Sequence, residues 1–130
     1  MTTPKAYVEH VAVWVRDIQW HIRFFREVLG MEMRERQGPP EAPEQYWTLG
    51  GLQFIARPDF AEPEGRLAHL GVMCEDQAWA IAAATARGAT AMAQGPNWLR
   101  LPDGLAIELL QARPATEVAR ALAVDPRAEA

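Results

Sequence analysis

In VEHVAVWV, residues 8–15, the valines at 11, 13 and 15 alternate with His10, Ala12 and Trp14, the period of two that is typical of a β-strand with two distinct faces. His10 therefore shares a face with Ala12 and Trp14, opposite these three valines. A later segment, AHLGVMCE at residues 68–75, also has the character of a strand and carries His69 near its start. The two segments therefore predict two similar strands, each with a histidine.

A helical pattern follows each of these strands. After the first, Asp17 is a candidate N-cap, apolar residues recur at positions 18, 22, 25 and 29, and Gly30 stands where a helix would end. After the second, Asp76 is the candidate cap, QAWAIAAATAR forms the candidate helix, and Gly88 is the stop. Both helices are thus marked at their two ends.

The spacing of these marks indicates an internal repeat. Each aspartate lies seven residues after its histidine, and the glycine follows the histidine by 20 residues in the first copy and by 19 in the second. Each copy then continues into apolar runs broken by a glycine turn, QYWTLGGLQFIA and NWLRLPDGLAIELLQ, which predict hairpins. The order in each copy is one strand, one helix and about three strands, and the two histidines would face each other across a symmetric site.

Composition and charge narrow the class of protein. The chain has 130 residues, of which 49% are hydrophobic, and this is enough for one domain with a real core. Its net charge of −4, without a basic block, argues against nucleic acid as a partner. The sequence has one cysteine, no signal peptide pattern and no apolar run of the roughly 18 residues that suggest a membrane helix. These features predict a soluble cytoplasmic protein that does not enter the membrane.

Three segments carry a resemblance to a known family. EHVAVWVRD and AHLGVMCED open the two copies, LPDGLAIELLQ closes the second, and together they resemble the vicinal oxygen chelate superfamily of glyoxalases, bleomycin resistance proteins, methylmalonyl-CoA epimerases, fosfomycin-resistance transferases and extradiol dioxygenases. The resemblance covers about residues 5–112. It implies an α+β fold in which two βαβββ modules, about 5–60 and 66–112, form a curved mixed β-sheet around a metal site.

The same resemblance implies how the chain is organised. Residues 1–112 would form a single vicinal oxygen chelate domain, and 113–130 a helical or frayed C-terminal tail. We expect a homodimer that acts on a small-molecule substrate.

The metal ligands are implied by the family pattern, which takes one ligand from the first and one from the last strand of each module. Here these are His10, His69 and Glu108, with Gln53 as a fourth ligand unless a register shift brings Ile55 to its place. Such nitrogen and oxygen ligands suit one divalent ion, namely Mn, Fe, Co, Ni or Zn. The residues themselves add that a carboxylate buried within LAIELL would be costly without a compensating positive charge.

Other residues are candidates for the substrate pocket. Trp14, Trp47 and Trp98 would supply rigid walls, although core packing explains at least one of them equally well. Arg100 would bind a substrate carboxylate or form a surface ion pair. His21 within the first helix is expected to be a packing residue.

Three functions remain open from the sequence. The first is a metal-dependent enzyme, namely an isomerase, epimerase or glyoxalase-type lyase, that removes a proton next to a carbonyl. In this enzyme Glu108 would be a metal ligand in the first place and a catalytic base in the second. The second is an iron-dependent extradiol-type dioxygenase, for which only His21 and Tyr46 are unassigned acid or base candidates. The third is a metal-free small-molecule binding or antibiotic resistance protein, which has no need of two histidines and a glutamate.

Overall fold

The structure is a computed structural model, and it describes residues 3–102 and 104–128, so Asp103 of the LPDG turn lies outside the described residues. The elements in chain order are β1(Ala6–Val15), α1(Ile18–Glu27), β2(Met33–Gln37), β3(Gln45–Thr48), β4(Leu52–Ala56), β5(Arg66–Cys74), α2(Gln77–Ala86), β6(Thr90–Met92), β7(Gly95–Arg100), β8(Ala106–Gln111) and α3(Thr116–Leu122).

The described strands form one mixed sheet with the order β2-β3-β4-β1-β5-β8-β7-β6. Strand β1 pairs in parallel with β4, and β5 pairs in parallel with β8, whereas the remaining pairs described within each copy are antiparallel. Each copy has the order strand, helix and three strands. The predicted α+β fold with two βαβββ modules is therefore confirmed.

The predicted helix ends are also confirmed. The carboxylate of Asp17 accepts a hydrogen bond from the backbone N–H of Trp20 at 3.1 Å, and that of Asp76 accepts one from Trp79 at 3.0 Å. Gly30 and Gly88, just beyond the helices, have φ of 68° and 100°, a left-handed conformation that favours glycine. The repeat in the sequence is thus a repeat of capping structures.

Contacts divide the chain into two units, His10–His69 and Met1–Glu9 with Leu70–Ala130. In the first unit, the valine face of β1 and the matching face of β4 pack against α1, with a buried core of Val15, Ile18, Ile22, Tyr46 and Phe54. The opposite face of β1 and β4 is left for His10 and its neighbours.

The second unit repeats this arrangement. Its buried core contains Cys74, Ala89, Leu99 and Leu109, and Ile81 of α2 packs against it. Because side chains alternate along a strand, the neighbours of Cys74 and Leu109 in β5 and β8 point to the other face. Burial raises the pKa of the Cys74 thiol, which lies in the core as a small apolar residue.

The C-terminal part of the chain contains α3, which buries Val118. The extents of the domain, 1–112, and of the tail, 113–130, stay predictions. No helix in the described part of the chain has the length and apolar character needed to cross a membrane.

The segment that leads into β5 is fixed to the start of α1 by Glu64. Its carboxylate accepts hydrogen bonds from the backbone N–H groups of Arg16 at 2.9 Å and Asp17 at 3.4 Å. The Arg16 guanidinium donates to the carbonyls of Phe60 and Glu62 in the same segment. Burial alone would raise the pKa of Glu64, but the two N–H groups, with His21 and Arg16 nearby, outweigh it and lower the pKa.

This lowered pKa predicts a pH-dependent stability. The stabilisation by ionised Glu64 is present at neutral pH and is lost as the pH falls below the usual glutamate pKa and through the lower folded pKa. Glu64→Gln should therefore reduce the free energy of unfolding at pH 7, and its difference from the native protein should shrink towards pH 3. Urea unfolding at both pH values measures this. The exposed Glu27→Gln is the control, and an equal effect of both variants at pH 7 would contradict the role of Glu64.

Candidate metal centre

Two histidines lie close together in the candidate site. His10 on β1 and His69 on β5 are buried, with 5% and 7% of their surface exposed. Their Nε2 atoms are 3.1 Å apart, and the rings are nearly perpendicular at 89°. Bonds of about 2.1 Å to one ion, at angles of roughly 90° to 110°, also place two ligand atoms about 3.0–3.4 Å apart. The spacing of the two nitrogens therefore fits two ligands of one ion.

The register of β1 and β4 decides which residue of β4 shares the histidine face. Ala12, two residues after His10, pairs with Gln53. Gln53 is 3% exposed, and its amide Nε2 donates to Gln45 Oε1 at 2.6 Å. Its own Oε1 is buried without a hydrogen-bond partner in the described structure. Gln53 thus offers a buried oxygen on the same face as His10, while Ile55 pairs with Trp14 further along the strand.

Strands β5 and β8 pair in a register equivalent to that of β1 and β4. Gly71, two residues after His69, pairs with Glu108. Glu108 therefore occupies in the second copy the position that Gln53 occupies in the first, and it shares a face with His69 because residues two apart in a strand point the same way. The small residues Ala12 and Gly71 leave room beside the two histidines.

His10, His69 and Glu108 form a group of potential metal ligands. One ligand atom from each lies within 4.8 Å of the others. Two imidazole nitrogens and a carboxylate oxygen are a donor set that divalent transition metals bind. The residues present therefore fit a metal ion.

Two tryptophans occupy equivalent places beside the last strands. Trp47 on β3 pairs with Gln53, and Trp98 on β7 pairs with Glu108, so each indole stands on the face of its ligand candidate. Trp47 is buried and Trp98 is half-buried. Cross-strand neighbours have Cβ atoms about 4.5–5.5 Å apart, which makes both rings direct neighbours of the candidate ligands.

Trp14, the third candidate tryptophan, lies beside an arginine that was not predicted from the sequence. The guanidinium of Arg57 lies 5.0 Å from the ring centre of Trp14, and Phe60 contacts the same indole at 5.5 Å. Arg57 directly follows β4, two positions after Ile55, so the period-two pattern of Gln53 and Ile55 extended by one step could have found it. Arg100 faces the same side as Glu108, but its guanidinium donates to the Gly104 carbonyl at 2.8 Å.

The remaining candidate acid and base residues lie off this face. Tyr46 pairs with Phe54 on the α1 side of the sheet, where burial raises its pKa although Arg26 nearby acts in the opposite direction. His21 lies in α1, and its ring contacts Phe54. Cys74 is in the core against α2. None of the three shares the face of His10 or Glu108.

Comparison with solved structures gives the same fold. A variant of the Streptomyces coelicolor methylmalonyl-CoA epimerase, in complex with 2-nitronate-propionyl-CoA, matches with a TM-score of 0.60 at 18% identity, over 81% of this chain and 96% of that one. The 2,3-dioxygenase LapB from Pseudomonas matches with a TM-score of 0.57 at 18% identity, and the trihydroxybiphenyl dioxygenase from Sphingomonas wittichii with 0.58 at 23% identity. Both dioxygenase matches include 81% of this chain but only 42% of the dioxygenase chain.

The family model, together with the shared fold, indicates the vicinal oxygen chelate superfamily. The model of the glyoxalase-like domain matches residues 10–110, so the chain belongs to the family of glyoxalase-like domains. A comparison with curated protein sequences gives no match.

Proposed function

We propose that this protein is an enzyme that binds one divalent metal ion through His10, His69 and Glu108. The observation that supports this most directly is the 3.1 Å approach of the two histidine Nε2 atoms in a buried position. The carboxylate of Glu108 adds the negative charge that a divalent cation needs, and burial of both imidazoles protects the ligands from water. The ion would be Mn, Fe, Co, Ni or Zn, since each accepts imidazole and carboxylate ligands.

Gln53 is proposed as the fourth and weaker ligand. Its Oε1 is a buried acceptor without a partner in the described structure, which is a costly state for a polar atom. The hydrogen bond to Gln45 holds the amide in place, so that this oxygen stays on the face of His10. A neutral amide oxygen binds a cation less strongly than a carboxylate, and Gln53 should therefore contribute less than Glu108.

The proposed site predicts a stoichiometric metal that depends on these side chains. Native protein prepared without chelator should bind one ion per chain, and a metal concentration 100 times Kd should stabilise it by about 2.7 kcal/mol. His10→Ala, His69→Ala and Glu108→Gln should lose the ion, and Gln53→Leu should weaken binding less. Elemental analysis and thermal unfolding with added metal measure both effects.

The third histidine of the chain supplies the matched control. His21→Ala removes an imidazole on the other face of the sheet and should leave metal content unchanged. Because protons compete for imidazole nitrogens, occupancy should fall below about pH 6. Metal content below stoichiometry that does not rise on reconstitution, and is the same in His69→Ala, would contradict the site.

The proposed reaction is removal of a proton from a carbon next to a carbonyl in a small oxygenated metabolite, as in an isomerase, epimerase or glyoxalase-type lyase. When bound, the cation would stabilise the negative charge that develops on substrate oxygens as that carbon loses its proton. Glu108 is proposed as a permanent ligand first and as the carboxylate that takes the proton second. The neighbouring Trp98 and Trp47 would exclude water from the same face.

Substrate orientation is assigned mainly to Trp14 and the arginine beside it. Arg57 lies four residues beyond Gln53 along the strand direction, roughly 13 Å at 3.3 Å per residue. A substrate carboxylate or other anionic group held there would be several bonds away from the oxygens at the ligand group. Arg100 remains a candidate for the same task, with its guanidinium already hydrogen-bonded to Gly104.

The dioxygenase alternative is less favoured by the geometry. Ring-cleaving chemistry needs further acid and base groups near the metal, whereas Tyr46 and His21 lie on the α1 side of the sheet. A metal-free binding protein has no use for a buried histidine pair beside a carboxylate. The homodimer and the cytoplasmic location expected from the sequence stay predictions.

The reaction is tested by hydrogen exchange. Metal-loaded enzyme should introduce deuterium beside the carbonyl when 2-oxo acids, acyl-CoA thioesters or hemithioacetals are screened in deuterated water. Glu108→Gln should lower the exchange rate at least 100-fold, because it removes both a metal ligand and the proposed base, and Arg57→Ala should mainly raise KM. The metal content of each sample is measured alongside, so that loss of the ion is recognised.

An oxygen electrode in the same experiment separates the alternatives. Consumption of oxygen with catechols, without deuterium entry into any substrate, would assign the protein to the dioxygenases. Exchange at the native rate in Glu108→Gln would contradict the role of Glu108.

A further inference from the structure

A cavity lies in the His10–His69 unit, on the α1 side of the sheet and therefore on the face opposite His10. Its volume is about 340 Å³. Its walls include Phe54 of β4, Trp20 and Phe24 of α1, and its polar lining includes His21 and Glu64. This volume lies at the lower end of the range of small-molecule pockets, about 300–1,000 Å³. It is large enough for one or two fused rings.

The hydrogen bonding of His21 leaves one ring nitrogen for a ligand. Its Nδ1 lies 2.8 Å from the Asp17 carbonyl oxygen, which can only accept, so Nδ1 carries the proton. Glu64 Oε2, 3.7 Å from the same nitrogen, favours that tautomer further. In the neutral ring Nε2 is then an acceptor, and it has no hydrogen-bond partner within residues 3–102 and 104–128. His21 Nε2 is thus a hydrogen-bond acceptor available at the cavity, whose lining is apolar apart from His21 and Glu64.

An aromatic pair stands half-exposed at the cavity. The ring centres of Trp20 and Phe24 are 5.1 Å apart, and the ring planes differ by 8°, so the rings stack. Trp20 is 50% exposed and Phe24 is 36% exposed. Stacked rings that keep this much apolar surface in water offer a flat area on which another ring can pack.

The second copy of the repeat shows that the fold does not require these residues. Asp17 and Asp76 are equivalent caps, so Trp20 corresponds to Trp79 in α2. The residues of α2 that correspond to His21 and Phe24 are both alanines, at positions 80 and 83. The first copy therefore has an aromatic and imidazole lining that the second copy folds without.

We propose that this cavity binds a neutral planar aromatic molecule with one hydroxyl or N–H donor, which packs on Trp20 and Phe24 and donates to His21 Nε2. The lining residues include the Glu64 carboxylate and no lysine or arginine, so a carboxylate or other anion would have no counter-charge in the cavity. The ligand class differs from the oxygen-rich substrate proposed for the metal face, and the cavity is independent of that function.

The test uses two matched probes, 2-naphthol and naphthalene, which differ by a single hydroxyl donor. Native protein is titrated while the tryptophan indole N–H signals are followed by NMR, with the Trp20 signal assigned through Trp20→Phe. 2-Naphthol should shift the Trp20 signal and bind roughly tenfold more tightly than naphthalene, the difference expected for one hydrogen bond. His21→Phe should remove that preference and keep naphthalene binding. Phe24→Ala, at a position whose equivalent in the second copy is Ala83, should weaken both probes.

Trp79→Phe is the control, since it changes the equivalent tryptophan of the other copy and should leave both affinities unchanged. Shifts confined to Trp14, Trp47 and Trp98 would overturn the proposal, as would equal affinity for the two probes in native protein and His21→Phe. Sedimentation gives a further outcome. If the native protein is a dimer that Trp20→Ala dissociates, and the probes bind only the monomer, a second copy covers the cavity and the proposal is wrong.

Discussion

The parallel pairing of the first and last strands in each βαβββ copy determines the rest of the site. In both copies the residue two positions after the histidine pairs with the ligand candidate of the last strand, Ala12 with Gln53 and Gly71 with Glu108. A slip of one residue in either pair would turn the polar side chain into the core against the helix. The apolar faces packed on α1 and α2 prevent that slip, so the burial of the two cores positions the polar face.

Burial also explains why the site suits a cation. His10 and His69 are 5% and 7% exposed, and the Oε1 of Gln53 on the same face as His10 is a buried acceptor without a partner in the described structure. Burying such polar groups costs desolvation free energy, and a bound metal ion would offset that cost. The same architecture then keeps the flanking positions 12 and 71 small and places a tryptophan beside each last-strand candidate. The proposed binding of the ion and the proposed exclusion of water would thus both come from one alternation of side chains.

Much of this could be predicted from the sequence because it depends on local signals. The caps Asp17 and Asp76, the left-handed glycines and the period of two in the first strands are short-range features, and they established the repeat and the shared face of His10 and Trp14. The choice between Gln53 and Ile55 could not be predicted, because both face the same way and only the pairing with β1 separates them. Arg57 was missed because it follows the strand, and its position over Trp14 depends on the path of the chain. The cavity beside His21 depends on packing between α1 and the sheet.

The central claim is that His10, His69 and Glu108 bind one ion together. Diffraction from crystals of metal-loaded protein, recorded on both sides of the absorption edge of the metal, locates the ion directly. We expect a single strong anomalous peak per chain, within about 2.0–2.2 Å of the Nε2 atoms of both histidines and of a Glu108 carboxylate oxygen. A peak bound to other side chains, or full occupancy without either histidine nitrogen in contact, would contradict it.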